Sequence, residues 1–164
     1  MRRDFVEQLH EQLESLEDTE ILEIDGASIA EIDRFGVALA KGLDLVEAPK
    51  DVNGVRTALR EYPHEPKHLF FIWRDADVLL EADVDLFGRL VNAFIGSAAE
   101  RELITLDVLV LQRIVFLGGD KLGAYAEDPE GALATWLVDG DDDPFDEVKK
   151  CLSHPPVITY RLEG

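Results

Sequence analysis

One cysteine, one methionine and two tryptophans in 164 residues remove several kinds of chemistry at the outset. With Cys151 alone, an internal disulfide framework and a cysteine-built zinc cluster are both excluded, and a reducing compartment fits. The chain also lacks an apolar run of the roughly 18 residues that a membrane-spanning helix needs, and its opening, MRRDFVEQLHEQL, holds no apolar signal core. Positive charge is scarce: 16 Lys and Arg stand against 35 Asp and Glu, a formal net charge of −19. That balance repels nucleic acid and anionic membrane, and it attracts cationic proteins over a Debye length of about 8–10 Å. The expectation is a soluble, cytoplasmic chain with no direct nucleic-acid contact, no membrane and a basic protein as its partner. The alternative is acidity that does no more than hydrate a lysine-poor surface.

What is present is ordinary for a folded chain, 46% apolar and 31% charged, and the length suits one core, so residues 1–164 read as a single domain. Phe5, Val6, Leu9, Leu13 and Leu16 recur at helical spacing, which predicts an amphipathic helix over residues 1–18. ILEIDG reads as a strand and turn. Ser28 and Glu31 have the spacing of a capping box, followed by the stripe Ile32, Phe35, Leu39 and Leu43. After Pro49, Asp51 can cap a short helix whose inner face is Val52, Val55, Leu59 and Tyr62. HLFFIW is continuously apolar, as expected of a strand buried on both faces of a parallel sheet. Phe87, Leu90, Val91, Phe94, Ile95 and Ala98 predict a long helix, and Asp107 to Gly119 a further strand. Beyond that point Leu133, Trp136 and Leu137 suggest a short helix, FDEVKKCL another, and PPVITYRLEG a closing strand.

The most unusual stretch is FFIWRDADVLLEADVD, where a buried strand opens onto Asp75, Asp77, Glu81, Asp83 and Asp85. Carboxylates at the carboxyl end of a parallel strand are placed to bind a hard cation or a ligand. They are equally placed to complement the amino end of the next helix. Their spacing matches no metal motif. DGDDDP fails as a calcium loop because Pro144 stands where the sharp turn needs glycine and Lys150 where a bidentate glutamate belongs. GGDKLG is followed by Ala124 and Tyr125 in place of the Lys and Ser/Thr of a phosphate loop, so its glycines read as a turn. His10, His64, His68 and His154 form no ligand pair; Ser153 beside His154 is no triad, and Cys151 falls on an apolar stripe with Val148 and Leu152. No cofactor is implied, and nothing specifies an enzyme.

The order strand, helix, proline-containing connection, short helix, apolar strand, helix, strand, carried by ILEIDGASI, IDRFGVALAKGLDL, DVNGVRTAL, LFFIWRDAD, FGRLVNAFIGSAAERE and DVLVLQRIVF, resembles the barstar family of small acidic ribonuclease inhibitors. The resemblance runs over roughly residues 21–117. It implies an α/β fold with a small parallel sheet packed by helices, a barstar-like core over 19–118, an added helix over 1–18 and a C-terminal α+β extension over 119–164. It also implies a noncatalytic inhibitor that plugs a basic cleft, most concretely an immunity protein against a toxin nuclease. The family uses carboxylates of the short second helix and the segment before it. Here Asn53 and Thr57 occupy the two acidic helix positions, and the aromatic-glycine segment before the helix is missing. The charge is expected instead at Asp51 and at Asp75, Asp77, Glu81, Asp83 and Asp85, with apolar anchors such as Tyr62 or Trp136 adding affinity. Competing classes are a nucleic-acid mimic, a divalent-metal enzyme built on the acidic segment, and a structural or adaptor subunit of a bacterial assembly.

Overall fold

The apolar segment HLFFIW forms the second strand of an all-parallel sheet, in a computed structural model that describes residues 2–63, 66–104, 111–128, 137–139 and 157–161. The strands are β1 (Thr19–Asp25), β2 (His68–Arg74), β3 (Leu111–Gly118), β4 (Leu137–Asp139) and β5 (Val157–Arg161), in the order β1-β2-β3-β5-β4. Thr19 pairs with His68 and Asp25 with Arg74 in one register, and Leu69 with Gln112 and Trp73 with Phe116 in the next. The helices are α1 (Arg2–Glu14), α2 (Ile32–Leu43), α3 (Val52–Arg60), α4 (Asp77–Ala82), α5 (Val84–Ile104) and α6 (Asp120–Glu127). The fold is therefore α/β, and the C-terminal stretch adds two strands to the same sheet.

Alternation along β2 builds two layers, because successive side chains of a strand point to opposite faces. Leu69, Phe71 and Trp73 join Phe35 of α2, Leu59 of α3, Phe87 and Phe94 of α5 and Leu122 of α6 in one core. Trp73 is its centre, with ring centroids 4.9 Å from Phe35, 5.4 Å from Phe87 and 5.5 Å from Phe116. Burial of each such ring contributes on the order of 2–3 kcal/mol. The opposite face carries the buried Phe70, Ile72, Val115 and Leu117. On that side α1, with Leu9 and Leu13 buried, reaches β1, where His10 lies 3.6 Å from Glu23.

Several boundaries differ from the sequence expectation. The capping box does not form: Ser28 belongs to a 3-10 turn, Gly26–Ser28, and Glu31 precedes α2 without a side-chain cap. Asp25 takes the capping role one turn earlier by accepting from the Ala27 N–H. The acidic segment after β2 contains a short helix, α4, and in GGDKLG Gly118 ends β3, Gly119 makes the connection and α6 starts at Asp120. Leu137 lies in a strand instead of a helix. The strand expected from Asp107 is described from Leu111 onward. FDEVKKCL, DGDDDP after Asp139, and Leu133 with Trp136 lie outside the described residues.

Two polar side chains sit inside the main core: Gln112 Nε2 donates to Ser97 Oγ at 2.9 Å, and that hydroxyl donates to the Phe94 carbonyl at 3.0 Å. His68 is 8% exposed, and its pKa lies below the ordinary value, first because burial disfavours the imidazolium and then because Lys67 and Arg113 repel it, with Asp18 opposing. The unfolded chain thus binds a proton that the fold resists. The stability that follows is complete above pH of about 6.5 and is lost as pH falls through that value toward the lower folded one. The loss of urea midpoint between pH 7.5 and pH 5.5 is expected to be smaller in His68→Gln than in the parent. Equal losses would remove His68 as a source of the slope.

Candidate functional site

The carboxylates after β2 are organised by helix ends. Asp75, with φ of 51°, turns the chain out of the strand. Asp77 opens α4 and reaches across to α6, accepting from the Gly119 N–H and, at 2.7 Å, from the Leu122 N–H. It does from a distance what a capping residue does locally, since Gly119 before α6 has no side chain to offer. Glu81 pairs with Lys121 of α6. Asp83 separates α4 from α5 and accepts from the Leu86 N–H at 3.0 Å. Asp85 is exposed in the first turn of α5, where its charge favours the helix dipole. Among the described residues no group of three or more His, Cys, Asp and Glu side chains is arranged to hold a metal ion.

The second set of predicted residues lies on α3. Asp51 caps it, accepting from the Gly54 N–H at 2.6 Å, and Asn53 and Thr57 are exposed along its outer side. α3 runs beside the later part of α5. Asp51, Asn53 and Arg56 share an open groove of about 440 Å³ with Arg89, Asn92 and Ala93. Further along, Arg56 Nε donates to Glu100 Oε1 at 2.8 Å and Arg60 Nη1 to Glu100 Oε2 at 3.4 Å. The hydrogen bond from Arg56 holds the Glu100 carboxyl below the usual carboxylate range, with the charges of Arg56 and Arg60 adding to it against desolvation. The structure therefore joins Asp51 and Asn53 to α5, while Asp75, Asp77 and Glu81 gather at the carboxyl end of β2 around α4 and α6.

A third place was not singled out by the sequence. The connection from α2 to α3 folds back along α2, and with it forms a groove of about 340 Å³ lined by Asp33, Val37, Glu47, Ala48, Pro49 and Lys50. Val37 is 60% exposed and Val46 fully exposed. Asp44, in the left-handed region at φ 54°, ends α2 and starts this connection. Val37 escapes a periodicity search because it stands between Phe35 and Leu39 on the outer side of an otherwise regular stripe. Tyr62, an expected anchor, is buried at 6% exposure, and its hydroxyl donates to Glu20; Trp136 and Cys151 lie outside the described residues.

No helix among the described residues is long and apolar enough to cross a membrane. Comparison of the chain with protein-family models, with curated proteins and with solved structures finds no match in any of the three.

Proposed function

We propose that this chain is a noncatalytic acidic binding protein that inhibits or neutralises a basic protein partner, most concretely a barstar-like immunity protein facing a toxin nuclease. The observation that carries the reading is the groove between α2 and the connection to α3. It places the exposed Val37 beside Asp33 and Glu47, with Lys50 as the one cation of the lining, on a chain of net charge −19. An apolar centre with an acidic rim suits a basic surface that also presents an apolar side chain. The element order β1, α2, α3, β2, α4, α5, β3 supports the family reading, with α4 as one short helix more than the expected order. The carboxylates of Asp77, Glu81 and Asp83 already serve helix ends or Lys121, so Asp33 and Glu47 carry more of the proposed recognition than the segment after β2.

The test is affinity capture from host lysate at low and high salt, followed by association kinetics with the partner recovered. Replacing Asp33 and Glu47 with their amides is expected to slow association several-fold and to flatten its salt dependence. Val37→Asp is expected to speed dissociation, because a charge then enters the apolar centre. Salt-resistant recovery of several acidic or neutral subunits, equal for parent and variants, would exclude the proposed surface and favour an assembly component. Competition of the captured partner by nucleic acid alone, with both variants behaving like the parent, would favour mimicry.

A further inference from the structure

Several described cations pair with a carboxylate: Arg56 and Arg60 share Glu100, Arg74 lies 3.6 Å from Glu23, and Lys121 meets Glu81. Arg89 has no hydrogen-bond or ion-pair partner among the described residues, although it lines the concave surface between α3 and α5 with Arg56, Asn53 and Asn92. Arg56 is already fixed there. Its guanidinium is held by Glu100 and lies against the bare backbone of Gly96, where a Cβ would stand 2.8 Å from the central guanidinium carbon. A fixed guanidinium loses little freedom when it gains one more acceptor. The amino end of the nine-residue α3 opens on the same groove and adds the positive end of its dipole. The one carboxylate in the lining, Asp51, is engaged with the Gly54 N–H.

We infer that the groove between α3 and α5 is a binding site for a small oxyanion, a phosphate or carboxylate group, with Arg89 as its main partner and Arg56, Asn53 and Asn92 completing the donor set. The net charge of −19 opposes a polyanion, so the site takes one anionic group on a small or neutral carrier. The site does not depend on the basic-partner reading and is tested without any protein partner.

The experiment titrates inorganic phosphate, and separately succinate, into the full chain at constant ionic strength, with sodium chloride as the reference and NMR of the arginine Nε–H and asparagine side-chain amide signals as readout. Saturable shifts at Arg89, Arg56, Asn53 and Asn92 are expected. Loss of a charged hydrogen-bond donor makes Arg89→Gln weaker by about tenfold or more, while Arg89→Lys, which keeps the charge but not the fork, falls between. Arg34→Gln, the same charge change on the exposed outer side of α2, is expected to bind like the parent. Saturation by phosphate alone assigns a phosphate-bearing ligand, and saturation by succinate alone a carboxylate. Shifts that match those of chloride, or an equal weakening by Arg34→Gln, would overturn the site.

Discussion

Gly36→Ala is expected to destabilise the fold by about 2 kcal/mol, although alanine is the better helix former by about 1 kcal/mol. A Cβ built on Gly36 would stand 1.9 Å from the Pro49 carbonyl oxygen, a backbone atom that no rotamer change can move aside. The connection from α2 to α3 is seated on that bare patch of helix, so the added methyl displaces the whole connection. Overpacking of this kind costs about 1–3 kcal/mol, and more when the backbone must shift; the cost exceeds the gain in helix propensity. For a chain of this length the melting temperature is expected to fall by about 4–8 °C. The displacement also has a local signature. The Leu45 N–H bond to Ala40 and the Gly54 N–H bond to Asp51 flank the displaced segment, so their amides are expected to exchange faster than those of β2. A variant as stable as the parent, with unchanged exchange at Leu45 and Gly54, would show that the connection is not seated this way. Because Val46, Glu47 and Pro49 ride on the connection, the same variant is expected to weaken partner binding without touching a charged residue.

The elements legible in the sequence are those whose pattern is long and enforced by one face of the core. HLFFIW announces a strand buried on both sides, and the spacing from Phe87 to Ala98 leaves one solution for α5. Asp51 signals its cap correctly because a local cap needs nothing but the next turn. Ser28 and Glu31 mislead for a complementary reason: the motif is local, but Gly26 is drawn tight against β2, where a Cβ would stand 2.2 Å from the Arg74 carbonyl oxygen. That contact shapes the backbone into a 3-10 turn before the capping box can form. α6 was hidden by its glycines. Gly118 and Gly119 suggest a turn, and the side chain that caps the helix comes from Asp77, distant in sequence, so no local pattern could reveal it. The oxyanion groove is hidden in the same way, since Arg56 and Arg89 meet only when α3 lies along α5.

Asp77→Ala is expected to cost about 3 kcal/mol, more than the loss of any other carboxylate in the acidic segment. Its two oxygens accept from Gly119 and Leu122 N–H groups at the start of α6. Each hydrogen bond to a charged group is worth about 1.5–3 kcal/mol, and the donors left behind are part-buried. α6 holds Leu122 and Ala126 in the main core, and a helix of eight residues does not persist in water without such anchoring. Asp77→Asn keeps one acceptor oxygen but gives up the charge at the helix end, so a loss nearer 1–2 kcal/mol is expected. Asp85→Asn, in the same acidic segment but with no hydrogen bond or ion pair among the described residues, is expected to change stability by no more than about 0.5 kcal/mol. The ordering Asp77→Ala, Asp77→Asn, Asp85→Asn, read as urea midpoints together with protection of the Gly123 amide in α6, separates two explanations of the negative charge. If all three variants were equally stable, the segment would be solvated surface and its acidity would concern partners alone. The expected ordering makes part of that acidity an internal device: Asp83 caps α5 locally, and Asp77 caps from a distance the start of α6, which has no capping side chain of its own.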